Sequence, residues 1–336
     1  MNSNEIQSLF PGNLKELFAE IFCVLDSVEE IRLGVNRPVL IGKTDGEFYL
    51  TGTGILKGCN ANFKDAYFFS YREISDVFMR VCNDSVYAYE DELSQGFVTI
   101  HGGHRVGICG HVVVKNHEIT GVKYIASLNI RIAHEMPGIS DRIYPFLFEK
   151  KEYQNTLIIS PPGCGKTTLL RDLIRNLSTG NKSQQGTRVG VVDERSEISA
   201  AFHGVPQMQL GPRTDVLSCC PKEIGIKMLL RTMSPRIIAV DELGTKGEAE
   251  ELVRASYSGC RILATMHGSS LEELQHKENL NIQRFIFLSN RNGAGTIEKI
   301  IDGKGTKLEM DWDVYAHHRN IGDGNCDETG ALFKTW

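Results

Sequence analysis

A chain of 336 residues with 41% hydrophobic and 24% charged residues has the composition of a soluble globular protein with room for two domains. Its formal net charge of −5 argues against a protein devoted to coating nucleic acid. The nine cysteines are scattered, odd in number and without zinc or CxxC spacing, as in reduced cytosolic thiols. No stretch is apolar over the roughly 20 residues a membrane helix needs, and the N-terminus lacks the pattern of a secretory signal.

Leu14, Leu17, Phe18, Ile21, Phe22 and Leu25 make one helical face after Pro11-Gly12. Short alternating runs at 30–33, 38–41 and 47–50 then predict strands separated by Gly, Asn and Asp turns. Ser70 with Glu73 forms a capping box in front of the stripe Ile74, Val77, Phe78 and Val81. From Gly96 to Ala133 the pattern is strand-like again, turning at Asn116-His117. His101, His104, His111 and His117 fit hairpin turns, without the Cys or carboxylate set a metal site needs. Residues 1–148 therefore read as an α+β domain, with the boundary in 137–152 where Met136-Pro137-Gly138 breaks the pattern.

Beyond it, strands and helices alternate: strand 155–160, helix 166–177, strand 188–193, helix 222–233, strand 236–241, helix 247–258, strand 261–265. That order predicts an α/β domain over 149–310 with a parallel central sheet and helices on both faces. Residues 283–301 read as closing strands around a turn at 291–295, and 311–336 as a flexible tail.

The first α/β turn carries the chemistry. Leu157-Ile158-Ile159 ends in Ser160, Pro161, Pro162, Gly163, Cys164, Gly165, Lys166, Thr167 and Thr168, followed by an amphipathic helix. Strand, small-residue loop, Lys-Thr and helix are the order of a phosphate-binding P-loop, although Ser160 stands where glycine usually opens it. Little side-chain bulk lets main-chain N–H groups face phosphate oxygens, and the helix N-terminus adds positive charge. Lys166 is placed to reach the β- and γ-phosphates of ATP, and the Thr167 hydroxyl to ligate Mg²⁺. Arg236 to Glu242 is a buried strand ending in two acids, a Walker B arrangement in which Asp241 serves Mg²⁺ and Glu242 faces the attacking water. Two further strands end in Asp193-Glu194-Arg195 and in Thr265-Met266-His267, at the strand ends where open α/β sheets bind ligands.

P-loop, acidic strand end, Walker B and Thr-x-His follow one another as in the hexameric, RecA-like ATPases of type II and type IV secretion. Within that class the chain resembles the stage III sporulation protein AA family of endospore-forming bacteria. The strings that carry the resemblance, spread from about residue 28 to 268, include VEEIRLGVNRPVLI, SLNIRIAHE, SPPGCGKTTLLRDLIR, VGVVDERSEISA, GPRTDVL, MSPRIIAVDELG and ILATMHG. The resemblance implies a mother-cell cytosolic, Mg²⁺-dependent ATPase working as a hexameric ring. It implies peripheral recruitment to integral membrane proteins of a channel between mother cell and forespore. By position it makes Ser160 to Thr167 the ATP loop, Asp193, Glu194 and Glu242 acids around the γ-phosphate, and Thr265 and His267 its sensors.

Either Glu242 or Glu194 is the general base, with Glu242 favoured because Walker B is a full Asp-Glu pair. Arg213, Arg131, Arg105 and Arg195 are the candidates for an arginine finger. Cys164, inside the loop, is an expected target for alkylation that blocks nucleotide binding. Two other readings stay open: a RecA-like motor on nucleic acid, which the acidic charge disfavours, and an ATP-gated scaffold that scarcely hydrolyses.

Overall fold

The computed structural model describes residues 4–59, 63–115, 117–268, 280–291, 293 and 295–308. The expected tail over 311–336 lies outside the described residues. The chain divides into two compact units: one runs to Glu135 and also takes Ser199–Met208, the other takes Met136–Ile198 and the chain from Gln209 onward.

The first unit opens with helices α1 (Asn4–Ser8), α2 (Gly12–Leu17) and α3 (Ala19–Cys23). The helical face over residues 14–25 is thus divided. At Phe18 the backbone leaves helical dihedrals (φ −91°, ψ 5°), which sets its buried ring 4.3 Å from Phe10 and edge-on to Phe69. Strands β1 (Val28–Gly34), β2 (Leu40–Lys43), β3 (Gly46–Leu50) and β4 (Leu56–Gly58) follow. Then come α4 (Tyr71–Val81), α5 (Glu90–Ser94), β5 (Phe97–Thr99), β6 (Arg105–Lys115) and β7 (Glu118–Arg131). They make one antiparallel sheet in the order β4-β3-β2-β1-β7-β6-β5. The Ser70–Glu73 capping box is present, and Ile74, Val77, Phe78 and Val81 are the buried face of α4. The histidines go into this framework: His104 is buried and its Nδ1 accepts the Ala133 N–H at 3.0 Å.

The excursion Ser199–Met208 packs with this first unit. Gln207 Oε1 accepts the Gly102 N–H at 2.9 Å, and Met208 is buried. No hydrophobic period in 199–208 announces this.

The second unit begins earlier than the boundary expected from sequence. Ile143, Tyr144 and Leu147 are part of its core, so the 137–152 stretch is packed rather than a linker. Asp172 holds it down: its buried carboxylate accepts the N–H groups of Gly138 (3.0 Å) and Ser140 (2.8 Å) and the Ser140 hydroxyl (2.7 Å). A short hairpin, β8 (Phe148–Glu149) with β9 (Glu152–Tyr153), leads into the main sheet.

That sheet contains β10 (Thr156–Ser160), β11 (Val189–Asp193), β12 (Thr214–Ser218), β13 (Ile237–Val240), β14 (Arg261–His267), β15 (Arg284–Ser289) and β16 (Thr296–Asp302). Its order is β12-β11-β13-β14-β10-β15-β16, parallel throughout except for the antiparallel edge strand β16. The central strands are buried on both faces, and their residues alternate between two cores. Ile158, Val191, Ala239 and Leu263 join the core under α6 (Lys166–Thr179). Leu157, Ile159, Val192, Val240 and Ala264 join the core under α7 (Lys222–Thr232) and α8 (Lys246–Tyr257). Continuous apolar runs are what a helix-covered parallel sheet requires. The edge strand β12 is half-exposed at every position, so it has no alternation by which sequence could find it.

Candidate functional site

The loop after β10 turns through two left-handed glycines, Gly163 (φ 73°) and Gly165 (φ 81°), before α6 starts at Lys166. A side chain at either position would strain the backbone. Pro161, Pro162 and Gly163 are exposed, while Ser160 and Cys164 are buried. Cys164 belongs to the core beneath the loop, so its thiol faces inward rather than toward reagents in solvent. The helix start leaves main-chain N–H groups without helical partners.

Lys166 is only 6% exposed. Its ammonium donates to the carbonyls of Ser160 (3.2 Å) and Pro161 (3.1 Å) and lies 3.1 Å from His267 Nδ1. Among the described residues no carboxylate pairs with it. Burial draws its proton affinity down, against the opposing pull of Asp241 and Glu242. A buried ammonium whose hydrogen-bond partners are all neutral is costly, and an anion at the loop would complete it. The residues present thus fit a phosphate ligand.

The strand order brings the remaining groups to this lysine. Because β14 lies between β10 and β13, Ser160 is in register with His267, and Val240 with Ala264. Thr167 Oγ1 donates to Asp241 Oδ2 at 2.7 Å, and Thr265 Oγ1 donates to Asp241 Oδ1. His267 Nε2 lies 2.9 Å from Glu242 Oε1. With Nδ1 accepting from Lys166, Nε2 is the nitrogen that donates to Glu242. Glu242 itself has a left-handed backbone (φ 50°). Its N–H is held by Thr265 Oγ1 (2.8 Å) and Asp241 Oδ1 (3.0 Å). A hydroxyl and a carboxylate side by side are hard oxygen donors suited to Mg²⁺.

Lys166, Thr167, Asp241, Glu242, Thr265 and His267 thus form one bonded cluster. The acids at the end of β11 are engaged elsewhere. Asp193, 2% exposed, accepts the N–H groups of Glu197 (2.8 Å) and Ile198 (3.2 Å) and closes the turn between them. Glu194 Oε2 accepts from Lys222 at 2.7 Å. Arg195 reaches back to the cluster, 3.0 Å from Glu242 Oε2.

Of the other arginines, Arg213 is committed to the end of α6, where it donates to the carbonyls of Ser178 (2.8 Å) and Thr179 (3.4 Å). It caps that helix and is not a free finger. Arg105 lies over the Phe97 ring in the first unit, and Arg131 is on β7 of the same unit. Sequence reasoning missed Arg171, which binds the carbonyls of Glu197 and Ile198 and ties α6 to the β11 turn. It also missed Lys222. Its signal was a lysine in the first turn of a helix, where the dipole disfavours a cation.

The second unit is an α/β fold built on a mainly parallel sheet, with the cluster gathered at the C-terminal strand ends. Solved structures share it: the Yersinia pseudotuberculosis ATPase DotB (TM-score 0.53, 13% identity, 94% of this chain and 84% of that one). The pilus retraction motor PilT, solved with ADP, is also similar (TM-score 0.51, 13% identity, 81% and 77% covered). The chain belongs to the family "Sporulation stage III, protein AA", whose model matches residues 1–308. It is 39% identical to Stage III sporulation protein AA of Bacillus subtilis (strain 168), over 91% of this chain and 97% of that protein. No helix among the described residues is long and apolar enough to cross a membrane.

Proposed function

We propose that the second unit is a RecA-like P-loop core that binds and hydrolyses ATP with Mg²⁺. The observation that carries this reading is the buried, carboxylate-free ammonium of Lys166 beside a loop of left-handed glycines. The main chain of 160–168 would cradle the phosphates, and Lys166 would leave its carbonyl partners to neutralise their charge. Thr167 and Asp241 would hold Mg²⁺, which neutralises charge developing on the phosphates. Glu242 would take the proton of the attacking water as the water oxygen bonds to the terminal phosphorus and the bond from that phosphorus to the bridging oxygen breaks, releasing ADP and phosphate. His267, bonded to Lys166 and Glu242 at once, would report phosphate binding to the base.

Family membership supports a wider role: a motor recruited to integral membrane proteins of a sporulation channel between mother cell and forespore, working as a hexameric ring from the mother-cell cytosol. Nucleic acid is not its substrate in this reading. The test is phosphate release by the purified chain, with and without its membrane-anchored partner. Wild type should hydrolyse ATP, and Lys166→Ala should lose ATP affinity. A Lys166→Ala chain with wild-type affinity overturns the reading.

One observation favours the scaffold alternative, an ATP-gated assembly factor with negligible turnover. Both Glu242 oxygens are occupied, one by His267 and one by Arg195. Arg195→Ala separates the two: a faster basal rate identifies Arg195 as a brake on a working enzyme. ATP binding without phosphate release in wild type and Arg195→Ala alike, partner present, favours the scaffold.

A further inference from the structure

A lysine at the start of α7 is linked through one carboxylate to the turn that follows Glu242. Lys222 is 8% exposed and sits at the helix end where a cation is least welcome. Two carboxylates hold it there: Glu194 Oε2 at 2.7 Å and Glu248 Oε1 at 3.5 Å. Glu248 is itself nearly buried and uses its other oxygen on the main chain. Oε2 accepts the N–H groups of Gly244 (2.8 Å) and Thr245 (3.3 Å). Its own N–H is capped by Thr245 Oγ1 at 3.2 Å.

These amides follow closely on Glu242, whose left-handed backbone needs outside support. Such a conformation is strained and persists only where the surroundings over-determine it. On the strand side the support is Thr265 and Asp241, bonded to the Glu242 N–H. On the helix side it is Glu248, and what keeps Glu248 turned inward is the ammonium of Lys222. Without that charge the half-exposed Glu194 and the buried Glu248 would face each other with no cation between them. Glu194 can turn to water, but Glu248 would be left an uncompensated buried charge, and relieving it means turning away from the N–H groups of the turn it holds.

We propose that Lys222 is a positioning residue for ATP hydrolysis: through Glu248 it locks the Gly244–Thr245 turn and so aims Glu242. This rests on the hydrolytic reading above. In Lys222→Met the kcat should fall about 10–100-fold, the scale of a small misplacement of a reacting group, while ATP affinity and KM stay within about twofold. Amide exchange at Gly244 and Thr245 should rise about tenfold or more as that turn opens locally. Lys222→Arg, which keeps the charge, should recover most of both. Should Lys222→Met fail to fold, Glu248→Ala reads the same link from the other side, with the same expected losses. Unchanged exchange at 244–245, or unchanged kcat with those amides released, overturns the proposal. If wild type binds ATP and releases no phosphate, the hydrolytic reading has failed, and the exchange measurement still decides whether Lys222 locks the turn.

Discussion

The Thr167 hydroxyl donates to Asp241 Oδ2 at 2.7 Å, joining the start of α6 to the tip of β13. The two groups belong to segments that only the sheet brings together. Thr167→Val keeps the shape of the side chain and removes the oxygen. Mg²⁺ affinity, read from a magnesium titration of ATP binding, should weaken about 10–100-fold. The apo fold should persist, because Asp241 keeps its bonds from Thr265 and from the Glu242 N–H. An unchanged magnesium titration would remove Thr167 from the site.

Glu242 is bonded into the Lys166 cluster, whereas Glu194 is occupied by Lys222. Phosphate release should therefore fall about 10²–10⁴-fold in Glu242→Gln, and by less in Glu194→Gln, each with ATP binding intact. The reverse ranking would make Glu194 the base.

Cys164 is 2% exposed and packed beneath the loop, while Cys23, Cys109 and Cys219 are exposed. Time-resolved thiol labelling followed by peptide mass spectrometry should modify Cys164 well after those three. Labelling at equal rates would show that the phosphate loop opens readily in solution.

The first unit carries a pH-sensitive histidine. Burial lowers His104 from its ordinary value of 6.5 to about 4, overriding the pull of Glu5. Its Nδ1 must stay unprotonated to accept the Ala133 N–H. Because the folded value lies below the unfolded one, the unfolded chain binds the proton first as pH falls. The contribution is complete above about 6.5 and is lost progressively toward pH 4; by linkage it amounts to roughly 3 kcal/mol. Melting of the chain between pH 7 and 4 should show this slope, and His104→Asn should flatten it. An equal slope in the variant would place the acid sensitivity elsewhere.

Much of the site could be read before folding. Parallel strands wrapped by helices are apolar throughout and end in polar residues, so Lys166, Thr167, Asp241, Glu242 and His267 were legible from residue type and position. A capping box and a helical stripe are local patterns, and α4 followed from them. Strand order is not local. That β14 enters between β10 and β13, placing His267 between Lys166 and Glu242, depends on how the crossovers pack. The same holds for ion-pair partners: nothing near Glu194 or Glu248 in the chain names Lys222, and nothing near Glu242 names Arg195. Residue type and period determined which side chains lie buried and which segments end in chemistry. Tertiary packing alone decided which charges meet, because a carboxylate pairs with whichever cation the fold carries to within about 3 Å of it.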